Sequence, residues 1–490
     1  MLRTIDEYPD YSGYIAEIKE KGITDALLNK IIDKHRNNSS HTKELYNRYK
    51  TREDAVPIYS REPRFKHEDK EIEELNNKVN NDFFGEIVDI AVGYFAGKAA
   101  SYKYGSTGDD EADSEAAVEL AKDTLANFVT RNNMYDINME TAKFATICGY
   151  AGRLFYIDKE GDERVMVTPP YETVILTESE ITEPTYGVRY YPTTDINDTE
   201  SYKAEFYDET YIYYYEGQLG SLTFKERKAH MFDYCPLQGV PRNKELLGDA
   251  EKVLDLIDDY DKTISDNSND IEGNTNAHMV FKNVVVNDEE MAKARKSGAF
   301  RFSSMSGDSD VYYLVKNVND AFNTNHLTRL EDNIYRFSKT PNLNSEKFGT
   351  ASGISLKFKI TGLESKSGTF EAKMTSADTY MFKLLGSSFA KKRIAFDYLQ
   401  CDVVYSRNFP MDLVSEAQTA QQLINAGLPK EIVYEQLSFI DDVDYVMELI
   451  EAEKDSIPSL MQQIPEDDED EKDEKDDKED GSEDDKPQNE

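Results

Sequence analysis

The run GYFAGK, from Gly93 to Lys98, looks like a phosphate loop, which would bind a nucleotide. A phosphate loop needs four residues between its glycines, a Ser or Thr after the lysine to bind Mg²⁺, and a strand before it. In this chain three residues separate the glycines, Ala99 follows the lysine, and the run ends an apolar helical pattern. We therefore interpret Gly97 as the end of a helix and not as part of a nucleotide site.

Two other runs contain part of a functional motif. Residues 266–277 alternate oxygen-bearing side chains like a calcium loop, but Ile271 and Ala277 stand where Gly and Glu are needed. Residues 349–353 read GxxSG, whereas a nucleophile elbow needs GxSxG between a strand and a helix. We interpret the first run as the solvated face of a helix and assign no chemistry to the second.

The cysteines and histidines are scattered along the chain. Cys148, Cys235 and Cys401 form no CxxC pair, and the six histidines lack the spacing of metal ligands. This pattern excludes a disulfide-stapled secreted module and a thiolate zinc site, and it is typical of a reducing cytoplasm. We predict no catalytic residue, no cofactor and no bound metal, so the chain is not expected to be an enzyme.

Charge is the strongest signal in the composition. The 490 residues include 57 Lys and Arg against 96 Asp and Glu, a net charge of −39. Such a chain is not expected to coat a nucleic acid by neutralising phosphates. The start of the chain lacks an apolar signal region and residues 90–97 are too short to span a bilayer, so we expect no export and no membrane. Residues 466–490 alone carry −12, and we predict a disordered acidic tail over 456–490.

Hydrophobic periodicity predicts helices first and strands afterwards. A short helix is expected over 22–36, a longer one ends near Gly97, and two more cover 115–133 and 138–150. From Arg153 to Tyr215 the pattern changes to short β-rich runs separated by turn signals. We infer an α+β body of about 240 residues.

Two later helices have a narrow apolar stripe. The first, over 246–273, places Val253, Ile257, Tyr260 and Ile264 on one face, and the second, over 326–340, does the same with Leu330, Ile334 and Phe337. Strand-like runs lie between the two helices, and Pro341 ends the second. A narrow stripe favours helices that pack among like helices.

Four sequence runs are each a weak motif, but their order and spacing together are specific. They are NNDFFGEIVDIAVGYFAGK (80–98), ATICGYAGRLFYIDKEG (145–161), GVPRN (239–243) and KTPNLNSEKFGTASGISLKFK (339–359). With them the chain resembles the portal proteins of tailed double-stranded DNA bacteriophages, in the type found in long-tailed phages of Gram-positive hosts. Thr350 and Ser355 depart from the usual Asn and Ala of this pattern.

The resemblance implies a multidomain α+β fold that assembles as a ring, usually of twelve subunits. Its domains would be a wing (1–245), a helical stem (246–273 and 326–340), a small β-rich clip (274–325), a tunnel loop (341–353), a long wing helix with a returning strand (354–412), a helical crown (413–455) and the tail.

The resemblance also implies a function, as the channel at one capsid vertex through which DNA is packaged and ejected. Expected partners are passing DNA without sequence specificity, terminase, major capsid and scaffolding proteins, and a head–tail adaptor, in the virion and earlier in the host cytoplasm. The tunnel-loop residues expected closest to DNA are Asn344, Ser345, Glu346, Lys347 and Phe348. The expected docking residues of the clip are Lys293, Arg295, Lys296 and Arg301.

Several alternatives stay open at this point. The tunnel loop would also read as an ordinary exposed loop, and the clip cluster as a solvated helix. Residues 354–361 alternate apolar and polar side chains, which favours a strand, whereas the resemblance implies a helix. The many carboxylates and 32 tyrosines are also compatible with a carbohydrate-active hydrolase. A monomeric acidic scaffold protein is a third class of function that stays open.

Overall fold

The structure is a computed structural model of the chain. It describes residues 9–63, 75–105, 115–275, 278–283, 289–293, 310–314, 320–343, 353–408 and 413–451, apart from isolated positions within these ranges. The chain divides into two compact units, Met1–Phe409 and Pro410–Glu490. The acidic tail predicted over 456–490 lies outside the described residues.

Helices frame the first unit. Their bounds are α1 Ser12–Lys21, α2 Asp25–Tyr49, α3 Phe83–Ala96, α4 Glu115–Arg131, α5 Met134–Cys148, α6 Leu254–Thr275, α7 Asp320–Ser338 and α8 Gly353–Lys391.

Strands supply the rest of the first unit. Their bounds are β1 Ser101–Tyr104, β2 Tyr150–Ile157, β3 Glu163–Thr168, β4 Thr173–Leu176, β5 Tyr186–Thr194, β6 Glu200–Tyr207, β7 Tyr211–Gly217, β8 Thr223–Ala229, β9 Leu237–Pro241, β10 His278–Lys282, β11 Asp310–Leu314 and β12 Cys401–Val404. Within the described residues they form antiparallel sheets in the orders β4-β5-β6-β7-β8, β3-β2-β9, β1-β12 and β10-β11. The α+β class predicted from the sequence is therefore confirmed.

Two main hydrophobic cores organise this unit. One packs α1 and α2 against the five-stranded sheet, and the other joins α3, α4, α5 and α8 to β2 and to the start of α6. Burial of these apolar faces is the main favourable contribution to the folding of both layers.

The second helix is longer than the sequence predicted. The prediction over 22–36 was wrong in its end, because α2 continues to Tyr49. Its buried face is carried on by Ser39 and Thr42, which interrupt the apolar pattern. The Thr42 hydroxyl donates to the Ser39 carbonyl at 2.7 Å, so this polar stretch is buried without losing its hydrogen bonds.

The helix α8 settles the choice that the sequence left open at residues 354–361. The alternation there predicted a strand, and that prediction is wrong because the segment is the first part of α8. Phe358 is 78% exposed whereas Ile360 is buried, so the alternating apolar residues do not share one face. Ile360 and Leu363, three residues apart, pack instead on Ala91 and Tyr94 of α3, which is a helical spacing.

Some predicted bounds also shift. The helix predicted over 246–273 begins only at Leu254, after a 3-10 turn at Glu251–Val253, because residues 242–250 form a hydrogen-bonded loop. The helix predicted over 326–340 is α7, which begins six residues earlier. Strands β6 and β8 were not predicted individually, since their charged residues hide the alternation. Strand β9 was not predicted either, because it is only five residues long and contains Gly239 and Pro241, which are uncommon inside strands.

The second unit is described by itself. It contains α9 (Leu413–Asn425) and α10 (Lys430–Tyr434), joined by a turn at Gly427, which has a φ of +93°. Ala420, Val433 and Leu437 form its small core. The crown assignment of residues 413–455 stays a prediction.

A fully buried ion pair fixes α8 against β2. The Arg153 guanidinium donates to the Asp378 carboxylate at 2.8 Å, and both side chains are completely buried. Arg153 also donates to the Asn138 amide oxygen and the Thr141 hydroxyl of α5, and the Tyr405 hydroxyl donates to Asp378. The network satisfies both charges without solvent.

We expect Asp378→Ala to destabilise the protein by about 3–5 kcal/mol, because it leaves the Arg153 charge buried and unpaired. The exposed pair of Lys19 and Glu178 provides the control, since Glu178→Ala should cost less than about 1 kcal/mol. Urea unfolding of the three proteins measures both values. Equal losses for the two variants would contradict the role given to the buried pair.

Candidate functional site

The helices α6 and α7 form an antiparallel pair, called the helical pair below. The Asn323 amide donates to Asn267 at 2.8 Å, and His326 lies 3.2 Å from the Asp259 carboxylate. Next to Asp259 along α6, Tyr260 contacts the ring of Phe83, which also contacts Tyr335 of α7. The strands β10 and β11 pair with each other and lie between the two helices in the chain.

The base of the helical pair, where α6 begins and α7 ends, is part of the main core of the first unit. Of the residues predicted to pack the stem, those buried within the chain itself are Val253, Ile257, Leu330 and Ile334. Tyr260 and Ile264 are half-buried, and Phe337 is 54% exposed. The predicted stripe thus anchors the pair at its base, while apolar surface remains at Ile264 and Phe337.

An extended segment, residues 75–82, docks on the polar face of α6. Its alternate backbone N–H groups donate to side-chain oxygens four residues apart on the helix: Asn81 to Asp261 at 2.8 Å, Val79 to Ser265 at 2.9 Å and Asn77 to Asn269 at 2.7 Å. Two residues of extended chain advance about 6.6 Å and four of helix about 6 Å, so the spacings match. This face, interpreted from sequence as solvated, is therefore partly covered.

Burial has an electrostatic consequence on the same face. Burial raises the pKa of the Asp261 carboxyl above its usual range, although the backbone and side chain of Asn81 both donate to it. Two neighbouring acids of α6 are neutralised by arginines, Asp258 by Arg48 and Asp266 by Arg61. Docking of the polar face thus combines hydrogen bonds with charge pairing.

A buried charge cluster ties the base of the helical pair to α8. The Asp249 carboxylate accepts two hydrogen bonds from the Arg242 guanidinium, both at 2.9 Å, and one from the Lys366 ammonium at 2.7 Å. Lys366 also donates to the Ser338 carbonyl at the end of α7. Burial opposes ionisation of Asp249, but the two cations outweigh it and keep its pKa below the usual value.

The turn that precedes α6 holds a second buried carboxyl. Glu251 accepts a hydrogen bond from the Gly248 N–H, and burial raises the pKa of Glu251 to about 7. Gly248 is required there, because an added Cβ would lie 2.3 Å from the Ile147 carbonyl oxygen. The acid at the root of α6 therefore changes its protonation state near neutral pH.

The other predicted site residues fall mostly outside the described part. Asn344, Ser345, Glu346, Lys347 and Phe348 of the predicted tunnel loop lie there, as do Arg295, Lys296 and Arg301 of the clip. Lys293 is described and exposed. The structure therefore brings together the residues of the helical pair, while the loop and clip assignments remain predictions.

Sequence reasoning missed both the docked segment and the charge cluster. Their hydrogen-bonding residues are Asn, Ser and Asp at spacings of two and four, a pattern that a solvated helix and loop also show. One weak signal was present in GVPRN, where Arg242 follows an apolar run and precedes Asp249 by seven residues. Charged residues inside apolar surroundings are normally paired when they are buried.

Among the described residues, no cluster of three or more His, Cys, Asp or Glu side chains is placed to hold a metal ion. No helix in the same part of the chain has the length and apolarity needed to cross a bilayer.

Comparison with known proteins points to one class, the phage portal proteins. The family model described as "Phage portal protein, SPP1 Gp6-like" matches residues 28–459. The portal protein of Bacillus phage SPP1 is 25% identical over 318 residues, which cover 61% of this chain and 60% of that protein. The portal protein of Clostridium phage phiCD119 is 23% identical over 406 residues, which cover 77% of this chain and 85% of that protein.

The match to the family model extends over most of the chain, from before the middle of α2 to beyond the described residues of the second unit. The chain therefore belongs to the SPP1 Gp6-like family of phage portal proteins. The resemblance inferred from the four ordered runs is confirmed. Neither the hydrolase nor the scaffold alternative is supported by these matches.

We expect the stability of the protein to fall as pH rises through 7, because Glu251 holds its proton more tightly in the folded than in the unfolded state. Its contribution is complete below about pH 4.5 and is lost by about pH 8, with a magnitude of up to about 3 kcal/mol. Glu251→Gln keeps an oxygen for the Gly248 N–H and removes this loss. The difference between the unfolding free energies at pH 5.5 and pH 8.5, measured for the unmodified protein and for Glu251→Gln, gives the size of this loss.

The matched control for this experiment is Glu245→Gln, which changes an exposed acid of the same loop. It should follow the pH dependence of the unmodified protein. An identical pH dependence in Glu251→Gln and Glu245→Gln would show that Glu251 does not titrate at the root of α6.

Proposed function

We propose that this chain is the subunit of a portal ring, the channel at the unique capsid vertex through which double-stranded DNA is packaged and ejected. The observation that carries the proposal is the family match over residues 28–459, together with two relatives named portal proteins. The usual assembly of twelve subunits in a capsid is part of the proposal, as is a location in the virion after assembly in the host cytoplasm.

The proposal assigns roles to the described elements. The helical pair is the stem, β10 and β11 belong to the clip, and α9 and α10 belong to the crown. The wing contains α1 to α5 with the strands β1 to β9, and it is completed by α8 and β12. Residues 341–353, between α7 and α8, are the tunnel loop. The antiparallel pairing of α6 and α7 around an inserted strand pair supports this division.

Apolar surface on the helical pair supports assembly with further copies of the chain. Phe337 and Ile264 keep exposed apolar area in the isolated chain, and Ile271 near the far end of α6 is 70% exposed. Covering such residues gains about 25 cal/mol for each Å² removed from water. A ring covers them with the same helices of the neighbouring subunits, because each subunit contacts two others.

The charge of α6 suits a channel that DNA passes through without sticking. The helix carries seven acidic residues and one lysine, and Arg48 and Arg61 neutralise two of the acids. Repetition around a ring multiplies the remaining negative charge and repels a polyanion. Sequence-independent passage needs weak contacts of this kind rather than base readout.

Partners follow from the same role. The proposal includes terminase, which supplies the ATPase that drives packaging, the major capsid and scaffolding proteins, and a head–tail adaptor. The exposed Lys293, with Arg295, Lys296 and Arg301 nearby in the chain, is the proposed docking face of the clip. Residues 344–348 are proposed to approach the DNA most closely.

We expect the double substitution Ile264→Asp and Phe337→Asp to prevent ring assembly while leaving the subunit folded. Both positions retain apolar surface in the isolated chain, whereas Ile257 is buried in its core and would report on folding instead. Light scattering after gel filtration gives the assembly state, and circular dichroism gives the fold. Ile196→Asp, at a fully exposed turn position, is the matched control and should assemble normally.

We expect a deletion of residues 344–347 to leave rings and capsids intact and to reduce the DNA packaged or retained in each particle. Substitution of Lys347 alone should have a smaller effect that decreases with added salt, since exposed charges are screened within about 8–10 Å at physiological ionic strength. Nuclease-protected DNA per particle is the measurement. Full packaging and retention by the deletion phage would exclude a DNA-facing role for this loop.

A further inference from the structure

A cavity of roughly 200 Å³ opens at the base of the helical pair. Three parts of the first unit form it: the loop between β9 and α6, the end of α7, and the middle of α8. The residues that matter for its chemistry are Arg242, Glu245, Asp249, Lys252, Lys339 and Lys366. We call it the base cavity.

The base cavity contains a buried guanidinium with an unused donor. Arg242 is 3% exposed, and its Nε and Nη2 groups donate to Asp249. Its Nη1 group has no hydrogen-bond partner among the residues that the structure describes. The guanidinium also stacks over the Phe370 ring at 4.7 Å, which holds its plane in position. A buried guanidinium donor without a protein partner is able to bind an anionic oxygen by a charge-assisted hydrogen bond.

Charge in the base cavity is opposite to that of the chain as a whole. Its four cationic and two acidic side chains sum to a net +2, while the chain carries −39. Lys252 and Lys339 are exposed, and neither forms an ion pair with another described residue. Asp249 is already engaged by Arg242 and Lys366, so it does not neutralise these two lysines.

We propose that the base cavity binds a phosphate group, and that in the assembled protein this is a backbone phosphate of the passing DNA. Guanidinium and ammonium groups together recognise phosphate oxygens by charge-assisted hydrogen bonds. The DNA assignment rests on the proposed function. It is supported by the position of Lys339 at the end of α7, directly before the segment 341–353.

Such a site complements the acidic α6. Repulsion by α6 keeps the polyanion from adhering, and one weak phosphate contact in each subunit holds it in place without reading its sequence. Because Arg242 is fixed by Asp249 and Phe370, little ordering of that side chain is needed when the phosphate binds.

The test uses full-length protein and inorganic phosphate as the probe, titrated by calorimetry at low ionic strength. The double variant Lys252→Gln and Lys339→Gln should weaken phosphate binding about tenfold or more, since both changed lysines are exposed and charge-assisted contacts are lost. The control Lys30→Gln with Lys225→Gln changes the net charge equally at exposed positions elsewhere and should bind normally. Equal affinities in both double variants would overturn the site.

A second arm distinguishes DNA from free phosphate. A short DNA duplex should displace phosphate from the unmodified protein and should bind the Lys252→Gln, Lys339→Gln variant more weakly than the control variant. Phosphate binding that the duplex does not reduce would overturn the DNA assignment.

Light scattering of the same samples separates this inference from the proposed function. One outcome would overturn the proposal: the unmodified protein does not bind phosphate, and the Lys252→Gln, Lys339→Gln variant no longer assembles. That result would mean that a carboxylate of a second copy of the chain fills the cavity. Phosphate and duplex binding by a protein that forms no ring would support the cavity and contradict the ring.

Discussion

Anchoring of the helical pair depends on one buried carboxylate, that of Asp249. It binds Arg242 from the loop after β9 and Lys366 from α8, and Lys366 in turn binds the carbonyl of Ser338 at the end of α7. Removing a carboxylate of this kind leaves buried cations unpaired, which costs far more than an exposed ion pair contributes. The direction of the helical pair relative to α8 and the loop after β9 is therefore fixed by electrostatics as well as by apolar packing.

Polar contacts as well as apolar ones attach α6 to the rest of the first unit. The segment 75–82 satisfies Asp261, Ser265 and Asn269 with backbone N–H groups, so α6 stays acidic in composition while one of its faces is covered. This leaves the apolar surface at Ile264 and Phe337 and the remaining acids available for the ring assembly and the channel that the proposed function assigns to the chain. The cationic base cavity then lies where the pair meets α8, at the root of the segment that the proposed function directs toward DNA.

The sequence predicted those elements whose buried face is apolar throughout. Helix α3 and its end at Gly97 follow directly from the spacing of Phe84, Ile87 and Ala91. Prediction from the sequence failed where polar residues occupy a buried helix face, as Ser39 and Thr42 do in α2. It also failed at the start of α8, where the exposed Phe358 completes an alternating pattern that is typical of a strand. In the charge cluster, Arg242 and Asp249 are only seven positions apart, but Lys366 follows more than one hundred positions later, and only the tertiary structure shows its proximity to them.

Single-particle imaging of the purified full-length protein tests whether the subunit assembles as a portal ring. We expect rings with a central channel, in which α6 lies nearer the axis than the five-stranded sheet and the base cavities open toward the channel. Monomers without a channel at assembly concentrations, or rings with α6 on the outer rim, would contradict it.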